Sequence, residues 1–380
     1  MSVTNTEHRA ASARAALRVL VTGGGTGGHI NPGLAVISEL RSRRPDAEFL
    51  WVGTRDRLEA NLVPKANVPI EFVDVAFLKG RGLFGKLMAA AKLPKALWQA
   101  WRFVRRFRPH VIVGVGGFAS GPVGLAGRLS GVPTVILEQN ARPGLTNRVL
   151  GKVASRVFTS FDEASDSFRA KKVRFFGNPV RPELLDTERG TTQDGPSTVN
   201  LLVIGGSQGA TSLNRDLPAV LNKVAEHLPS LAVKHSAGRG RTEEVSRAYA
   251  GAEFAEVVEY IDNMKAAYEW ADFVVARAGA TTVAELTALG IPAMYVPFPA
   301  AADNHQEKNA LSIVSRDGGL MATDKELADP ESAERIAAQL CDVLEDSALL
   351  SRMSEAARGL GKPSAGAMIA DEILSLAEVK

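Results

Sequence analysis

Short apolar runs alternate along the chain with longer stretches in which apolar residues recur at helical spacing. The segment LRVLVTGGGTGGH (17–29) is an apolar run, a glycine-rich loop and the start of a helix. The segment VNLLVIGGSQGAT (199–211) repeats that plan. Such alternation is typical of units in which a helix follows each strand of a parallel sheet. The pattern predicts an α/β fold.

A second pair of segments also repeats. VIVGVGGFASGPVGLAGRLSGVPTVILEQN (111–140) and FVVARAGATTVAELTALGIPAMYVPF (273–298) share the order strand, small-residue loop, helix, Gly-Xaa-Pro and strand. Two such repeats predict two Rossmann-like domains, each a doubly wound parallel sheet, that face each other across a cleft. Ligands of such folds bind beyond the carboxyl ends of the strands, so the cleft is the predicted site.

The polar segment DTERGTTQDGPST (186–198) is rich in turn-forming residues, which favours a linker. Residues near the amino terminus lack the apolar core of a signal peptide. We therefore expect a disordered tail (1–16), an N-terminal domain (17–180), a linker (181–198), a C-terminal domain (199–360) and a closing helix (361–380).

Composition narrows the class of protein. Hydrophobic residues make up 45% of the chain and charged residues 23%, as in ordinary globular domains. The single cysteine, Cys341, excludes an internal disulfide framework. No uninterrupted apolar run approaches the ~18 residues of a membrane-spanning helix, so none is expected.

Charge is unevenly distributed, although the net charge is only +3. Residues 75–137 include no acidic residue. The basic residues of this block are Lys79, Arg81, Lys86, Lys92, Lys95, Arg102, Arg105, Arg106, Arg108 and Arg128. Such a block favours an anionic partner: nucleic acid, an anionic membrane surface or a phosphorylated substrate. The alternative is an ordinary solvated helix face.

The glycine loops allow several chemistries. Gly23, Gly25 and Gly28 fit the dinucleotide pattern G-x-G-x-x-G, but no acidic residue closes the second strand, AEFLWVG (47–53), so an NAD-dependent enzyme is weakly supported. GGSQG (205–209) matches the nucleophile elbow of hydrolases, with Ser207 as nucleophile. Its triad partners would be Asp303 and His305, which are unusually close in sequence.

A third small-residue segment, RAGATTVAE (277–285), begins a predicted helix whose free N–H groups favour a phosphate. Glu285, one turn into that helix, is a candidate acceptor for the hydroxyls of a ribose. Alternatively, Glu285 only complements the helix start. No Asp-x-Asp occurs and no two histidines are spaced three or four residues apart, so we expect no metal site and no cofactor.

Eight segments occur in order between about residues 18 and 310, and together they resemble the motifs of the MurG family. They are GGGTGGHINPGLAV, GVGGFASGP, EQNARPGLTNR, GNPVR, GGSQGA, EYIDNM, RAGATTVAE and DNHQEKNA. That bacterial family has the two-domain GT-B fold. The resemblance implies an inverting transferase that moves GlcNAc from UDP-GlcNAc to the C4 hydroxyl of MurNAc in lipid I (undecaprenyl-pyrophosphoryl-MurNAc-pentapeptide), giving lipid II. It also implies peripheral attachment to the cytoplasmic side of the cell membrane, no nucleic-acid partner, and other cell-wall enzymes as candidate partners.

The resemblance also implies roles for individual residues. Ser207 and the helix start (Ala280, Thr281, Thr282, Val283 and Ala284) would hold the diphosphate. The Ile261 backbone would contact uracil, Glu285 the ribose, and Gln306 the sugar, with His305 as a second candidate for the sugar. Asn140 and Arg181 would contribute from the N-terminal side and the hinge. Thr26, Gly27 and Gly28 would border the sugar and the acceptor phosphates.

His29 at the edge of the first glycine loop is the candidate general base for the acceptor hydroxyl, because histidine titrates near neutral pH. The alternative is a structural histidine that hydrogen-bonds loop carbonyls. The sequence leaves both roles open.

A lipid acceptor requires contact with the bilayer, and the basic block offers two amphipathic patterns. Apolar residues recur at helical spacing from Phe84 to Ala91, and after Pro94 a second stripe comprises Leu97, Trp101 and Val104. We expect the second stripe to pack on the sheet. The predicted membrane contact is the first stripe with its basic neighbours: Leu83, Phe84, Leu87, Lys79, Arg81 and Lys86.

Two other kinds of protein share the nucleotide chemistry. One is an enzyme of the same fold, such as a UDP-GlcNAc 2-epimerase or a transferase with another acceptor. The other is a non-catalytic sensor of nucleotide sugars. Product analysis with a lipid I acceptor separates them.

Overall fold

The computed structural model describes residues 16–75, 83–186, 198–206 and 209–378, and only the backbone of residues 83–91. These residues form two parallel β-sheets, each between two layers of helices. The N-terminal sheet contains strands β1 to β7, which are Arg18–Thr22, Glu48–Gly53, Ile70–Phe72, Val111–Gly114, Thr134–Glu138, Arg156–Thr159 and Val173–Phe175. The C-terminal sheet contains strands β8 to β13, which are Val199–Ile204, Leu231–Ser236, Ala255–Val258, Phe273–Ala276, Ala293–Tyr295 and Gly319–Met321.

The two sheets have the same doubly wound topology. Their strand orders are β3-β2-β1-β4-β5-β6-β7 and β10-β9-β8-β11-β12-β13. Every neighbouring pair is parallel, with Val19 opposite Val111 in one sheet and Phe273 opposite Leu201 in the other. In each sheet the order reverses beside the first strand, where such folds bind ligands. The predicted fold of two Rossmann-like domains is confirmed.

Helices cover both faces of each sheet. Helices α1 to α8 are Gly27–Arg43, Glu59–Lys65, Leu83–Phe107, Ser120–Leu129, Leu145–Gly151, Pro182–Leu185, Thr211–His227 and Thr242–Ala248. Helices α9 to α15 are Met264–Trp270, Ala280–Leu289, His305–Val314, Asp324–Ala328, Pro330–Glu345, Ser347–Leu360 and Ala365–Glu378. Short 3₁₀ helices span Asp162–Ser167, Ala170–Lys172 and Ala302–Asn304.

Side chains of successive strand residues enter different cores. Val19 and Val21 of β1 belong to the cluster that contains Ile369 of α15, whereas Leu20 belongs to the cluster with Val104 of α3. Burial on both faces explains why the strands are almost wholly apolar instead of alternating. Helix α15, at the end of the chain, packs on α1 of the N-terminal domain, so the chain crosses between the domains twice.

Helix α3 differs from the sequence prediction. It is one continuous helix through Pro94, and its buried positions are Ala96, Ala100 and Val104. The prediction that Trp101 packs on the sheet was wrong, because its side chain is 44% exposed. Leu97, Phe103 and Phe107 pack against the same core cluster as Ala100 and Val104, whereas the rings of Trp98 and Trp101 are exposed.

The predicted membrane residues fall mostly where side chains are not described. Lys79 and Arg81 lie outside the described residues. Leu83, Phe84, Lys86 and Leu87 lie in the first turns of α3, where only the backbone is described. Among the described residues, no helix is both long and apolar enough to span a bilayer.

Candidate active site

The N-termini of two long helices meet across the cleft. Helix α1 begins after β1 of the N-terminal sheet, and α10 begins after β11 of the C-terminal sheet. The Thr281 hydroxyl of α10 donates a hydrogen bond to the Gly28 carbonyl of α1, with 3.5 Å between the oxygens. The first turn of a helix has N–H groups without helical partners and a partial positive charge. The convergence of two such ends favours an anionic group between the domains.

Gly23 and Gly24 have conformations that other residues rarely adopt, with φ of 130° and 141°. A Cβ atom on Gly23 would lie 2.1 Å from the Gly116 carbonyl oxygen, and one on Gly24 would lie 2.4 Å from Cδ of Glu59. These two glycines are therefore required for packing within the N-terminal domain, where the loop lies against the segment after β4.

The other glycines of the loop serve a different purpose. A Cβ atom on Gly25 would have no neighbour within 4 Å, and one on Gly27 or Gly28 would meet only side-chain atoms at 3.7 Å or beyond. These three residues therefore border open space at the start of α1. Gly25 also has a positive φ, of 96°, so its backbone conformation favours glycine whatever the space around it. The sequence interpretation, that glycines let the backbone approach a substrate, therefore rests on Gly27 and Gly28, because Gly23, Gly24 and Gly25 have reasons within the loop.

Glu59 of α2 fixes the shape of this loop. Its carboxylate accepts hydrogen bonds from the backbone N–H of Gly25 at 2.7 Å, the backbone N–H of Thr54 at 3.0 Å and the Thr54 hydroxyl at 2.6 Å. The residue is only 1% exposed. A buried carboxylate requires such donors, and here the donors are backbone groups whose positions the carboxylate in turn restrains.

His29 lies in the first turn of α1 and is partly buried. Its Nδ1 is 3.0 Å from the exposed Thr26 hydroxyl, and its Cδ2 packs where a Cβ on Gly116 would lie. Burial, reinforced by the neighbouring His305 and opposed by Glu59, lowers the His29 pKa to about 4. The imidazole is therefore neutral at pH 7 and able to accept a proton, while Thr26 restrains the ring.

Glu285 of α10 is only 6% exposed. Its Oε2 accepts a hydrogen bond from the Tyr268 hydroxyl at 2.9 Å, and its Oε1 lies 3.5 Å from Nη2 of Arg181. Burial raises the Glu285 pKa, and Arg181 and Tyr268 oppose that shift. The structure thus brings together Glu285 and Arg181, which the sequence assigned separately.

A second polar network joins the two domains. Buried Glu138 accepts hydrogen bonds from the backbone N–H groups of Asn140 and Gly144 and from the Asn147 amide. Burial raises the Glu138 pKa. Asn309 of α11 accepts from the Ala141 N–H at 2.9 Å and donates to the Asn140 side chain at 3.3 Å. This network positions Asn140, one of the predicted site residues, at the domain interface.

The remaining predicted residues lie in the C-terminal domain, and one of them is not described. Ala280, Thr281, Thr282, Val283 and Ala284 form the first turns of α10. Ile261 is half-buried between β10 and α9. Gln306, at the start of α11, accepts a hydrogen bond from the Phe298 N–H at 2.9 Å, while His305 bonds the Ala302 carbonyl oxygen. Ser207 lies outside the described residues.

Sequence reasoning did not identify Glu59, Tyr268, Glu138 or Asn309 as site residues. Glu138 and Asn309 occur within the EQN and DNHQEKNA segments, so those motifs contained the signal. Glu59 and Tyr268 have no local signature, since their partners are 34 and 17 residues distant. Within the described part of the chain, no group of three or more His, Cys, Asp or Glu side chains could hold a metal ion.

The two parallel-sheet domains thus meet with the N-termini of α1 and α10 at their interface. Comparison with known families identifies the class of protein. Residues 19–159 match the glycosyltransferase family 28 N-terminal domain, and residues 200–369 match the glycosyltransferase family 28 C-terminal domain. The class is therefore that of the glycosyltransferases.

Individual relatives identify the family within this class of glycosyltransferases. The chain is 44% identical over 361 residues to a UDP-N-acetylglucosamine--N-acetylmuramyl-(pentapeptide) pyrophosphoryl-undecaprenol N-acetylglucosamine transferase of Anaeromyxobacter dehalogenans (strain 2CP-C), covering 95% of this chain and 93% of the relative. A Myxococcus xanthus (strain DK1622) protein of the same name is 41% identical, with the same coverage. The crystal structure of Acinetobacter baumannii MurG superposes with a TM-score of 0.77 at 30% identity, covering 94% of this chain and 99% of that one. The chain belongs to the MurG family of glycosyltransferase family 28.

Proposed function

We propose that this enzyme transfers GlcNAc from UDP-GlcNAc to the C4 hydroxyl of MurNAc in lipid I, giving lipid II with inversion at the anomeric carbon. The observation that carries the proposal is the meeting of the α1 and α10 N-termini, at the Thr281–Gly28 hydrogen bond, with His29 on one side and Glu285 on the other. The relatives named for this reaction support the choice of substrates.

The donor is assigned to the C-terminal domain (199–360). Its diphosphate accepts hydrogen bonds from the first N–H groups of α10, which also carry the positive end of the helix dipole. Ser207 adds a contact from the loop after β8. The ribose hydroxyls donate to Glu285, the backbone of Ile261 contacts uracil, and Gln306 contacts the sugar. Asn140 and Arg181 reach this ligand from the N-terminal side and the hinge.

The acceptor is assigned to the N-terminal domain (17–180), with its phosphates near Thr26, Gly27 and Gly28. The C4 oxygen attacks the anomeric carbon of GlcNAc while the bond from that carbon to the β-phosphate oxygen breaks. The hydroxyl proton passes to His29, and UDP leaves with its new charge facing α10. A single displacement of this kind inverts the configuration, and neutral His29 is in the protonation state that a general base needs.

The test combines purified enzyme, UDP-GlcNAc and a short-chain lipid I analogue, with mass spectrometry of the products. We expect the disaccharide lipid and one equivalent of UDP. Formation of UDP-ManNAc without transfer would instead indicate an epimerase, and UDP binding without turnover would indicate a sensor.

We further propose that the enzyme attaches peripherally to the cytoplasmic side of the cell membrane through an apolar patch of the N-terminal domain. The patch consists of exposed side chains on the consecutive helices α3, α4 and α5, namely Leu93, Trp98, Trp101, Leu125, Leu129, Leu145 and Val149. Arg102 lies over the Trp98 ring and Arg105 over the Trp101 ring. Tryptophan with arginine is suited to the boundary between an anionic headgroup layer and its acyl chains.

The membrane contact expected from sequence at Lys79, Arg81, Leu83, Phe84, Lys86 and Leu87 is part of the same proposal, although those side chains lie outside the described ones. The test is sedimentation with anionic phosphatidylglycerol vesicles. Because a large apolar side chain contributes roughly 1.5–3 kcal/mol when fully buried, exchanging Trp98 and Trp101 for serine weakens vesicle binding by at least about tenfold. Leu311→Ser, at an equally exposed leucine of the C-terminal domain, is the control and leaves binding unchanged. Equal binding of all three proteins would contradict this attachment surface.

A further inference from the structure

Tyr268 is a buried titratable group that the proposed chemistry does not use. It lies on α9, is 1% exposed, and its hydroxyl donates to Oε2 of Glu285 at 2.9 Å. Desolvation raises its pKa well above the usual value, and the adjacent Glu285 raises it further, so the phenol keeps its proton. The hydroxyl is therefore a permanent donor toward the carboxylate.

We propose that Tyr268 is a positioning residue that holds Glu285 ionised and in one orientation for the ribose, and so sets the selectivity of the site for a nucleotide with a free 2′,3′-diol. The inference rests on the proposed function, because it requires that Glu285 meets the ribose.

The two side chains that hold Glu285, those of Arg181 and Tyr268, differ in how firmly they are fixed. The Arg181 side chain is 35% exposed, contacts Glu285 at 3.5 Å and also lies 3.9 Å from Glu183. A partly exposed arginine shared between two carboxylates is a weaker restraint than a buried partner. Tyr268 is enclosed in the core beside α10, and among the described residues its hydroxyl bonds no other group, so it holds the carboxylate whether or not Arg181 moves.

The hydrogen-bonding capacity of the carboxylate fits this role. A carboxylate offers about four lone-pair sites. One is occupied by Tyr268, and Arg181 lies beside the other oxygen. Sites remain for two ribose hydroxyls, and an ionised carboxylate accepts from them more strongly than a protonated carboxyl group does. Without Tyr268, a buried carboxylate that has lost a donor takes up a proton more readily.

The chain offers a matched control. Tyr295 of β12 is also fully buried and belongs to the same hydrophobic cluster as Tyr268. Its hydroxyl has no hydrogen-bond partner among the described residues. Tyr268→Phe and Tyr295→Phe each remove one buried phenolic oxygen. Comparing the two variants therefore separates the loss of a hydrogen bond to Glu285 from the loss of a buried hydroxyl without such a bond.

The experiment measures binding of UDP and of 2′,3′-dideoxy-UDP by calorimetry to wild type, Tyr268→Phe and Tyr295→Phe. In wild type, we expect UDP to bind at least tenfold more tightly than the dideoxy compound. In Tyr268→Phe, the Kd for UDP rises about five- to tenfold, less than the loss of a ligand hydrogen bond to a charged group would cause, because the carboxylate itself remains. The dideoxy Kd is unchanged. Tyr295→Phe retains the wild-type ratio.

Two further measurements separate positioning from a merely structural role. In the double variant with Tyr268→Phe and Glu285→Gln, the ratio of the affinities for UDP and 2′,3′-dideoxy-UDP should equal the ratio in Glu285→Gln alone. The reason is that the Tyr268 hydroxyl acts through the Glu285 carboxylate. The pH below which the ratio falls moves upward in Tyr268→Phe. The charged or titratable groups facing Glu285 are Arg181, Glu183 and Tyr268, and only Tyr268 changes.

The outcomes are distinguishable. If wild type does not discriminate between UDP and the dideoxy compound, the assignment of Glu285 to the ribose fails, and the proposed site with it. If wild type discriminates and Tyr268→Phe keeps both the ratio and its pH dependence, the positioning role of Tyr268 is overturned while the proposed function stands. Equal losses of both ligands in Tyr268→Phe also overturn it, since they indicate a general structural effect.

Discussion

Two buried carboxylates on opposite sides of the cleft have different partners. Glu59 in the N-terminal domain is 1% exposed, and Glu285 in the C-terminal domain is 6% exposed. Glu59 accepts from two backbone N–H groups and the Thr54 hydroxyl. Glu285 is held by two side chains, Tyr268 and Arg181. Similar burial therefore accompanies two arrangements: backbone groups hold the first carboxylate, and side chains hold the second, which we propose binds the ribose.

The difference reflects what each half of the cleft has to hold. In the N-terminal half, our proposal requires that the glycine loop keep one shape, so that His29 and the first N–H groups of α1 face the acceptor. In the C-terminal half, the shape is given by α10, and the carboxylate can supply recognition. Substitutions in the N-terminal half should therefore change mainly kcat, whereas substitutions in the C-terminal half should change mainly the KM for the donor.

The largest effect is expected at His29. His29→Ala should lower kcat by ~10²–10⁴-fold, the usual contribution of a positioned base, while the KM for UDP-GlcNAc changes little. Because burial lowers the His29 pKa to about 4, wild-type kcat/KM should lose activity through this group only near pH 4, since that profile reports the free enzyme. The anionic substrates oppose the shift, so the acid limb of kcat should lie at higher pH.

Steady-state kinetics from pH 4 to 8 check this prediction, with His227→Ala as the control, because His227 is exposed at the end of α7. A kcat within about tenfold of wild type, together with an unaltered pH profile, would show that His29 is structural. The N-terminal side of the cleft would then not supply the general base through this residue.

Glu285→Ala is expected to give the next largest effect, now on the donor. Hydrogen bonds to a charged group contribute roughly 1.5–3 kcal/mol, so the KM for UDP-GlcNAc should rise about ten- to a hundredfold, with a smaller change in kcat at saturating donor. The control is Glu256→Ala, at an exposed residue of β10 that pairs with Lys234. An unchanged KM in a folded variant would mean that Glu285 only complements the start of α10.

Glu59→Gln tests the other member of the pair. A glutamine side chain has one acceptor oxygen and a donor amide, so at least one of the Gly25 and Thr54 donors loses its partner. Leaving a buried donor unsatisfied costs about 1–3 kcal/mol, which should appear in the free energy of unfolding measured with urea. We expect kcat to fall by up to about tenfold through the loop, and donor KM to stay within about twofold.

Urea denaturation curves and steady-state kinetics of Glu59→Gln, measured on the same protein samples, test this prediction. A rise in donor KM comparable to that of Glu285→Ala, without loss of stability, would break the comparison, because Glu59 would then act on the donor directly.

The sequence predicted the architecture because it depends on local patterns that repeat. Strand, glycine loop and helix occur at 17–29 and again at 199–211, and each repeat has the apolar run of a strand buried on both faces. Helix α3 was less predictable. Both Ala100 and Trp101 fit an apolar stripe, and only the packing of the folded helix shows that the alanine is buried while the tryptophan is 44% exposed.

The ribose-binding role of Glu285 stays a prediction, but its place in the first turns of a helix could be predicted from RAGATTVAE. The partners of that glutamate could not, because Tyr268 and Arg181 approach it from α9 and from the segment before α6. The same applies to Glu59, whose bond to Gly25 depends on how the strand order places α2 beside the loop.

The smallest effect is expected from removing divalent metal ions. A diphosphate leaving group needs its charge offset, and many enzymes use Mg²⁺ for that purpose. Here the α10 N-terminus supplies N–H groups and a partial positive charge on the donor side, and α1 does the same on the acceptor side. Excess EDTA should therefore change the transfer rate by less than about twofold in an assay with a soluble acceptor. A larger loss that Mg²⁺ restores, but that increased ionic strength does not, would show that the two helix ends do not offset the charge of the diphosphate by themselves. The cleft would then need a bound metal ion in addition to its two halves.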